Sequence, residues 1–191
     1  MFDLPEKIVI FDTEFTAWEG SMERKWSGEN EYREMVQIGA IMVETERLSE
    51  ISSLLLYVRP KINPTLSEYF MNLTHITQEE VDEKGVPFKE ALEKFYAWSE
   101  GFPIYCWGGD TKVLQENADL YGVENLFATT PGGNIKPLFE SHGITTEGYM
   151  SSTIPRAFGE EPPPAAHDAL NDARSIAQAL RALARKEGVL A

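Results

Sequence analysis

The hydrophobic positions of this chain change period along its length, from strand-like runs at the start to helical stripes later. Ile8-Val9-Ile10-Phe11 is the apolar heart of a stretch from Lys7 to Phe15 that reads as a buried strand. Val36 to Val43 and Leu54 to Val58 repeat the pattern, and their short spacing predicts an antiparallel meander. From Pro87 the period becomes helical: Phe88, Ala91, Leu92, Phe95 and Tyr96 share a face, and Pro87 suits a first turn. Ile104 to Trp107 reads as a short strand, Gly108-Gly109 as a turn, and Asp110 as the cap of a helix through Val113, Leu114 and Ala118. The last helix carries one apolar stripe (Ala169, Leu170, Ala173, Ile176, Ala177, Leu180, Leu183) and stops near Lys186 and Gly188. Three strands followed by helices with further strands between them predict an α/β domain around a mixed β-sheet, its first three strands antiparallel, flanked by helices.

Residues 1–191 are read as a single domain, long enough for one sizeable core. The longest connection, Thr16 to Met35, contains Trp18 and Trp26, and a loop of that length is either a functional lid or disordered. Glu160-Glu161-Pro162-Pro163-Pro164 is a stiff approach to the last helix, which either fixes where His167 sits or only shapes a surface loop.

The chemistry gathers at the ends of these elements. Asp12 and Glu14 stand two residues apart at the end of the first strand, so their carboxylates face one spot. There they either grip a metal ion or stay solvated at a strand edge. Asp110 follows a strand end, on the rim where open α/β sheets place ligands, with helix capping as the competing role. Asp172 lies in the first turns of the last helix, and His167 precedes it by five residues, so one element can carry a metal ligand and a proton acceptor. A helix start disfavours imidazolium, and a general base needs neutral imidazole. His75, in a loop-like run, and His142, at a helix end, compete for that role.

Seventeen basic against thirty-one acidic residues leave a formal charge of -14, so the whole molecule repels nucleic acid at long range and any polyanion must be held locally. Divalent ions would supply that local positive charge, which weakens a binding-module reading more than a metalloenzyme reading. The single Cys106 makes no intramolecular disulfide, the start Met1 to Lys7 lacks the pattern of a secretory signal, and no run approaches the roughly 18 apolar residues of a membrane span. A cytoplasmic protein without membrane contact is the expectation.

Three pieces, Phe11-Asp12-Thr13-Glu14-Phe15-Thr16, Trp107-Gly108-Gly109-Asp110 and His167-Asp168-Ala169-Leu170-Asn171-Asp172-Ala173, resemble in order and spacing the three motifs of the DEDDh exonuclease superfamily. The stretches Asn63 to Phe70 and Leu73 to Asp82 are similar to the branch that includes the histone-mRNA 3′ exonucleases, the enhanced-RNAi nucleases and bacterial sporulation-inhibitor relatives. The likeness extends from about Ile8 to Leu183. It implies a ribonuclease H-like fold and a 3′-5′ exonuclease that acts at the 3′ end of RNA or DNA and releases nucleoside 5′-monophosphates. It also implies two Mg²⁺ ions, for which Mn²⁺ would substitute. By the same likeness Asp12 would bridge both ions, Glu14 and Asp172 would hold one, Asp110 would support the other, and His167 would accept the proton of the attacking water.

Phe15, Thr16, Leu73 and Ile76 are candidates to pack against or hydrogen-bond the terminal nucleotide, with core packing the rival role for Phe15 and Leu73. Trp18 and Trp26 would extend that platform. Family members commonly carry glycine where this chain has His75, and a small residue or cysteine where it has Phe70, which bears on substrate preference rather than on the reaction. Two other readings remain: a metal phosphohydrolase of very short oligonucleotides, which suits the acidic surface, and a non-catalytic adaptor, which has no need of all five motif residues.

Overall fold

The structure, a computed structural model, describes residues 2–164 and 167–190. Strands β1 (Lys7–Phe15), β2 (Met35–Glu44) and β3 (Ser49–Tyr57) form the antiparallel meander. Two short parallel strands, β4 (Ile104–Cys106) and β5 (Gly132–Asn134), extend the sheet on the other side of β1, so the order is β3-β2-β1-β4-β5. The helices are α1 (Glu68–Thr74), α2 (Gln78–Lys84), α3 (Phe88–Ser99), α4 (Asp110–Tyr121), α5 (Lys136–Ser141) and α6 (Ala169–Lys186), with a 3-10 helix at Ile154–Phe158.

The period-two geometry of β1 sorts its side chains between two cores. Ile8 and Ile10, with Ile41 and Val43 of β2, pack against Ile176, Leu180 and Leu183 of α6. Val9 and Phe11, with Ile38, Ala40 and Met42, pack against α3 and α4 through Leu92, Phe95, Val113 and Leu114. Both faces of β1 are therefore covered, which is why it reads as an unbroken apolar run. Each large side chain buried this way contributes about 1.5–3 kcal/mol.

The same alternation decides where the polar end of β1 points. Asp12 and Glu14 continue the even series toward α6, whereas Thr13 continues the odd series toward α4, where its hydroxyl donates to Asp110 at 2.6 Å. Opposite Asp12 in the register stands Gly39, and opposite Glu14 stands Gln37. A Cβ on Gly39 would lie 2.1 Å from the backbone nitrogen of Leu170, so only glycine lets α6 come this close to the sheet. The Gln37 amide oxygen accepts from the Ala169 amide at 2.9 Å, and Asp168 caps α6 by accepting from Asn171 N at 3.0 Å. The start of α6 is thereby pinned over the end of β1.

Two sequence expectations need correction. Asp110 is not the cap of α4: Gly109 holds the cap position without a side-chain bond, and the Asp110 carboxyl turns to Thr13 instead. β3 starts at Ser49 rather than Leu54, because its first three residues, Ser49, Glu50 and Ile51, are exposed and show no apolar run. His75 lies in the short loop between α1 and α2, as expected, where it caps α1 with a left-handed φ of 60°. The Thr16 to Met35 connection folds on itself: the Thr16 hydroxyl donates to Tyr32 O at 2.6 Å and accepts from Glu34 N at 3.0 Å, while Trp26 Nε1 donates to Thr16 O at 2.9 Å.

Candidate active site

Where β1 ends, a cleft of about 270 Å³ opens between the Thr16 to Met35 loop, α1, the start of α4 and the start of α6. All five motif residues, Asp12, Glu14, Asp110, His167 and Asp172, line it. The strand supplies Asp12 and Glu14 from its even face, α4 supplies Asp110 from its first turn, and α6 supplies Asp172 one turn beyond its cap. Asp12, Glu14, Asp110 and Asp172 are all at most 9% exposed. Glu14, His167 and Asp172 each present a ligand atom within 4.8 Å of the others.

Four acids buried this close together resist ionisation. Burial, then the charges of Asp110, Asp172 and Glu14, raise the Asp12 carboxyl well above its usual range. Burial, then Asp172 and Asp110, do the same to Glu14. Burial pushes Asp110 up to about 6 against the opposing hydrogen bond from Thr13, and pushes Asp172 up to about 7 against the bond from Ser151. Ser151, which arrives from a separate segment, donates to Asp172 Oδ2 at 3.2 Å. His167, half-buried and at a left-handed φ of 64°, is held below the usual imidazole range by burial and then by nearby His75, so its ring is neutral at neutral pH.

The other oxygen of Asp172, Oδ1, is buried and meets no hydrogen-bond partner among the described residues. An orphaned acceptor inside a ring of carboxylates is costly unless a cation completes it. Carboxylate oxygens are the donors that magnesium and manganese accept, so the residues present fit a divalent-cation site.

The rest of the cleft is apolar and aromatic. Phe15, Trp18, Trp26, Tyr69 and Leu73 line it, with Met22 and Met150 exposed at its mouth. Phe15 and Trp26 meet edge to face at 5.4 Å, and the Arg33 guanidinium lies 5.6 Å from each ring while pairing with Glu116 of α4. Lys136 Nζ stands 5.2 Å from the Trp107 ring, and both residues line the cleft. Of the four substrate candidates, Phe15 and Leu73 face the cleft. Thr16 is 3% exposed with its hydroxyl engaged in the loop, and Ile76 is 3% exposed and packs with Val36, Leu66 and Phe70.

Sequence reasoning missed Thr13, Ser151, Arg33, Lys136 and Gln37. Thr13 was open to inference, since the residue between two acids on a strand must face the opposite layer. Ser151 comes from a connection and Lys136 opens the six-residue α5, too short for a periodic signal, so nothing local marked them.

The family model described as exonuclease (RNase_T) matches residues 9–180. ERI1 exoribonuclease 2 of Homo sapiens is 34% identical over 91 residues, which cover 48% of this chain and 12% of that protein. The probable 3′-5′ exonuclease KapD of Bacillus subtilis (strain 168) is 33% identical over 114 residues, 58% of this chain and 52% of that protein. The chain thus spans about half the length of one curated relative and far less of the other. In fold it is similar to the nuclease domain of 3′hExo, described as a DEDDh family member bound to rAMP, with a TM-score of 0.81, 22% identity and coverage of 97% of this chain and 95% of that one. Because the family match runs from β1 into α6 and takes in every acid of the cleft, the chain belongs to the RNase_T exonuclease family.

Proposed function

We propose that residues 1–191 act as one 3′-5′ exonuclease domain that hydrolyses the terminal phosphodiester of RNA or DNA and releases nucleoside 5′-monophosphates. The observation that carries this reading is the convergence of four buried carboxylates and a neutral imidazole in one cleft, with Asp172 Oδ1 left without a partner among the described residues. Asp12, Glu14, Asp110 and Asp172 would hold two Mg²⁺ ions, or Mn²⁺ in their place. When bound, such ions neutralise charge on the phosphoryl oxygens and promote ionisation of water.

The chain's own residues do the rest. His167 accepts the proton of the attacking water, a role its depressed basicity suits at neutral pH. Thr13 and Ser151 orient Asp110 and Asp172 through their hydroxyls. Phe15 and Leu73 pack against the terminal nucleotide, and Trp18 and Trp26 enlarge that surface. Thr16 and Ile76 support the wall from behind. The described helices include none long and apolar enough to cross a membrane, and a lone buried Cys106 suits the cytoplasm, where we place the protein.

A second reading, hydrolysis of very short oligonucleotides, is favoured by the formal charge of -14 and by a cleft at the small end of ligand-pocket volumes. The test for both is incubation of 5′-labelled single- and double-stranded RNA and DNA with Mg²⁺ or Mn²⁺. Stepwise shortening from the 3′ end is expected, abolished by chelator and by Asp12→Ala, and slowed by about 10²–10⁴-fold in His167→Ala. Internal cleavage, or full activity of Asp12→Ala, contradicts the proposal.

A further inference from the structure

At the opposite end of α4 from Asp110 lies another cavity, of about 350 Å³, with a basic lining. Arg59, Lys61 and Lys89 line it, together with Pro87, Phe88 and Tyr121, and none of its lining residues is an acid. In a chain with 17 basic and 31 acidic residues, a concavity lined by three cations, with Glu34 behind it and Glu93 beside Lys89 as its neighbouring carboxylates, stands against the general charge. Arg59 is fixed by donation from Nη2 to Asp82 O at 2.9 Å. Lys61 makes no ion pair among the described residues, and Lys89 has only Glu93 at 3.8 Å. The first turn of α3 adds amide groups that no side chain caps, since Pro87 holds the cap position.

The cavity is tied to the catalytic cleft by a rigid connection. Buried Glu34, next to Arg33, accepts from the Lys61 amide at 2.8 Å, the Ile62 amide at 2.7 Å and the Tyr121 hydroxyl at 2.6 Å. Asn117 of α4 donates to Arg33 O at 2.8 Å and accepts from Met35 N at 2.9 Å. Helix α4 therefore acts as a ruler, with Asp110 in the cleft at its start, Arg33 docked at Glu116 and Asn117, and Tyr121 in the basic cavity at its end. At 1.5 Å per residue its 12 residues span about 18 Å. A strand stacked at about 3.4 Å per nucleotide covers that span in about five nucleotides.

We propose that Arg59, Lys61 and Lys89 form a backbone-phosphate site that holds the substrate strand about five nucleotides upstream of its 3′ end, with Arg33 on the path between. The inference rests on the exonuclease reading and deepens it: an acidic protein gains its grip on a polyanion from a local basic station, so strands long enough to reach the station are preferred.

The test compares wild type with Lys61→Ala/Lys89→Ala on single strands of about twelve nucleotides and on trinucleotides of the same 3′ sequence. The double variant is expected to raise KM for the longer strand severalfold at unchanged kcat, so that the preference for length collapses. Loss of two phosphate contacts lowers the slope of log affinity against log salt by about 1.4 for a single strand, which is about a sevenfold smaller loss of affinity between 50 and 200 mM salt. The charge-reversed Lys61→Glu/Lys89→Glu is expected to go further in the same direction. An unchanged length ratio and salt slope in an active enzyme overturn the site while leaving the exonuclease reading intact. Should wild type shorten no strand, the exonuclease reading fails, and fluorescence anisotropy of the labelled strand still decides the site: equal affinity of wild type and variant overturns it.

Discussion

Removing one carboxylate from the acid cluster should stabilise the protein when no divalent ion is present. Asp110 and Asp172 are pushed from an ordinary 3.8 to about 6 and about 7. A folded-state value above the unfolded one means that the folded chain binds the proton more tightly, so this stability is complete below about pH 4 and is lost as pH rises through about 6 to 7. At 1.36 kcal/mol per unit the shifts correspond to about 3 kcal/mol for Asp110 and about 4 kcal/mol for Asp172. Asp110 is itself one cause of the Asp172 shift, so about 7 kcal/mol for the two together is a ceiling. Asp172→Asn removes the larger share while keeping an oxygen for Ser151. For a chain of this size about 4 kcal/mol corresponds to roughly 8–16 °C in Tm.

Scanning calorimetry in chelator at about pH 5 and about pH 8 reads this directly. Wild type and Asp172→Asn should melt within a few degrees of each other at the lower pH, and the variant should melt well above wild type at the higher one. Added Mg²⁺ at about pH 8 should raise wild type and leave the variant nearly unmoved. A variant that is less stable than wild type at about pH 8 in chelator, or that gains as much from Mg²⁺, would refute the claim that repulsion among these acids opposes folding.

Two further substitutions probe how the site is held together. Gly39→Ala places a Cβ 2.1 Å from backbone that cannot yield alone, so the start of α6 should be pushed from β1 and hydrolysis should fall by about 10²-fold with the circular dichroism of the fold retained. A wild-type rate would show that α6 tolerates the shift. Thr13→Val deletes the 2.6 Å bond to Asp110 at nearly constant volume and should weaken Mn²⁺ affinity by about 10–100-fold in calorimetric titration, whereas unchanged affinity would remove Thr13 from the site.

The parts of the fold that were legible in sequence are those whose burial is uniform. β1 is covered on both faces, so its apolar run and the acids at its end stood out, and α6 shows its stripe because one side meets the sheet. β5, the glycine-rich Gly132–Asn134, has only the Asn134 side chain and so no alternation to read, and α1 and α2 are seven residues each, too short for helical periodicity to register. The cleft was legible through its ordered acids and histidine, since Asp12 and Glu14 share a face by strand geometry alone. What escaped depends on contacts between distant segments. Asp110 suits a helix cap by residue type, yet its carboxyl lies with Thr13, 97 residues away in sequence. Ile76 had the chemistry to pack against a base, but the neighbouring core of Val36, Leu66 and Phe70 claims it. The basic cavity joins the end of β3 to the starts and ends of two helices, so no local run of lysine and arginine announced it.

The central claim is that the four buried acids are gathered to hold divalent cations. It is tested most directly by titrating the metal-free protein with Mn²⁺ and counting bound ions by electron paramagnetic resonance, beside Asp12→Asn. The account predicts two ions per chain, close enough for their spins to couple, and loss of the coupled signal in the variant. Saturation without Mn²⁺ uptake, or identical uptake by Asp12→Asn, would contradict it.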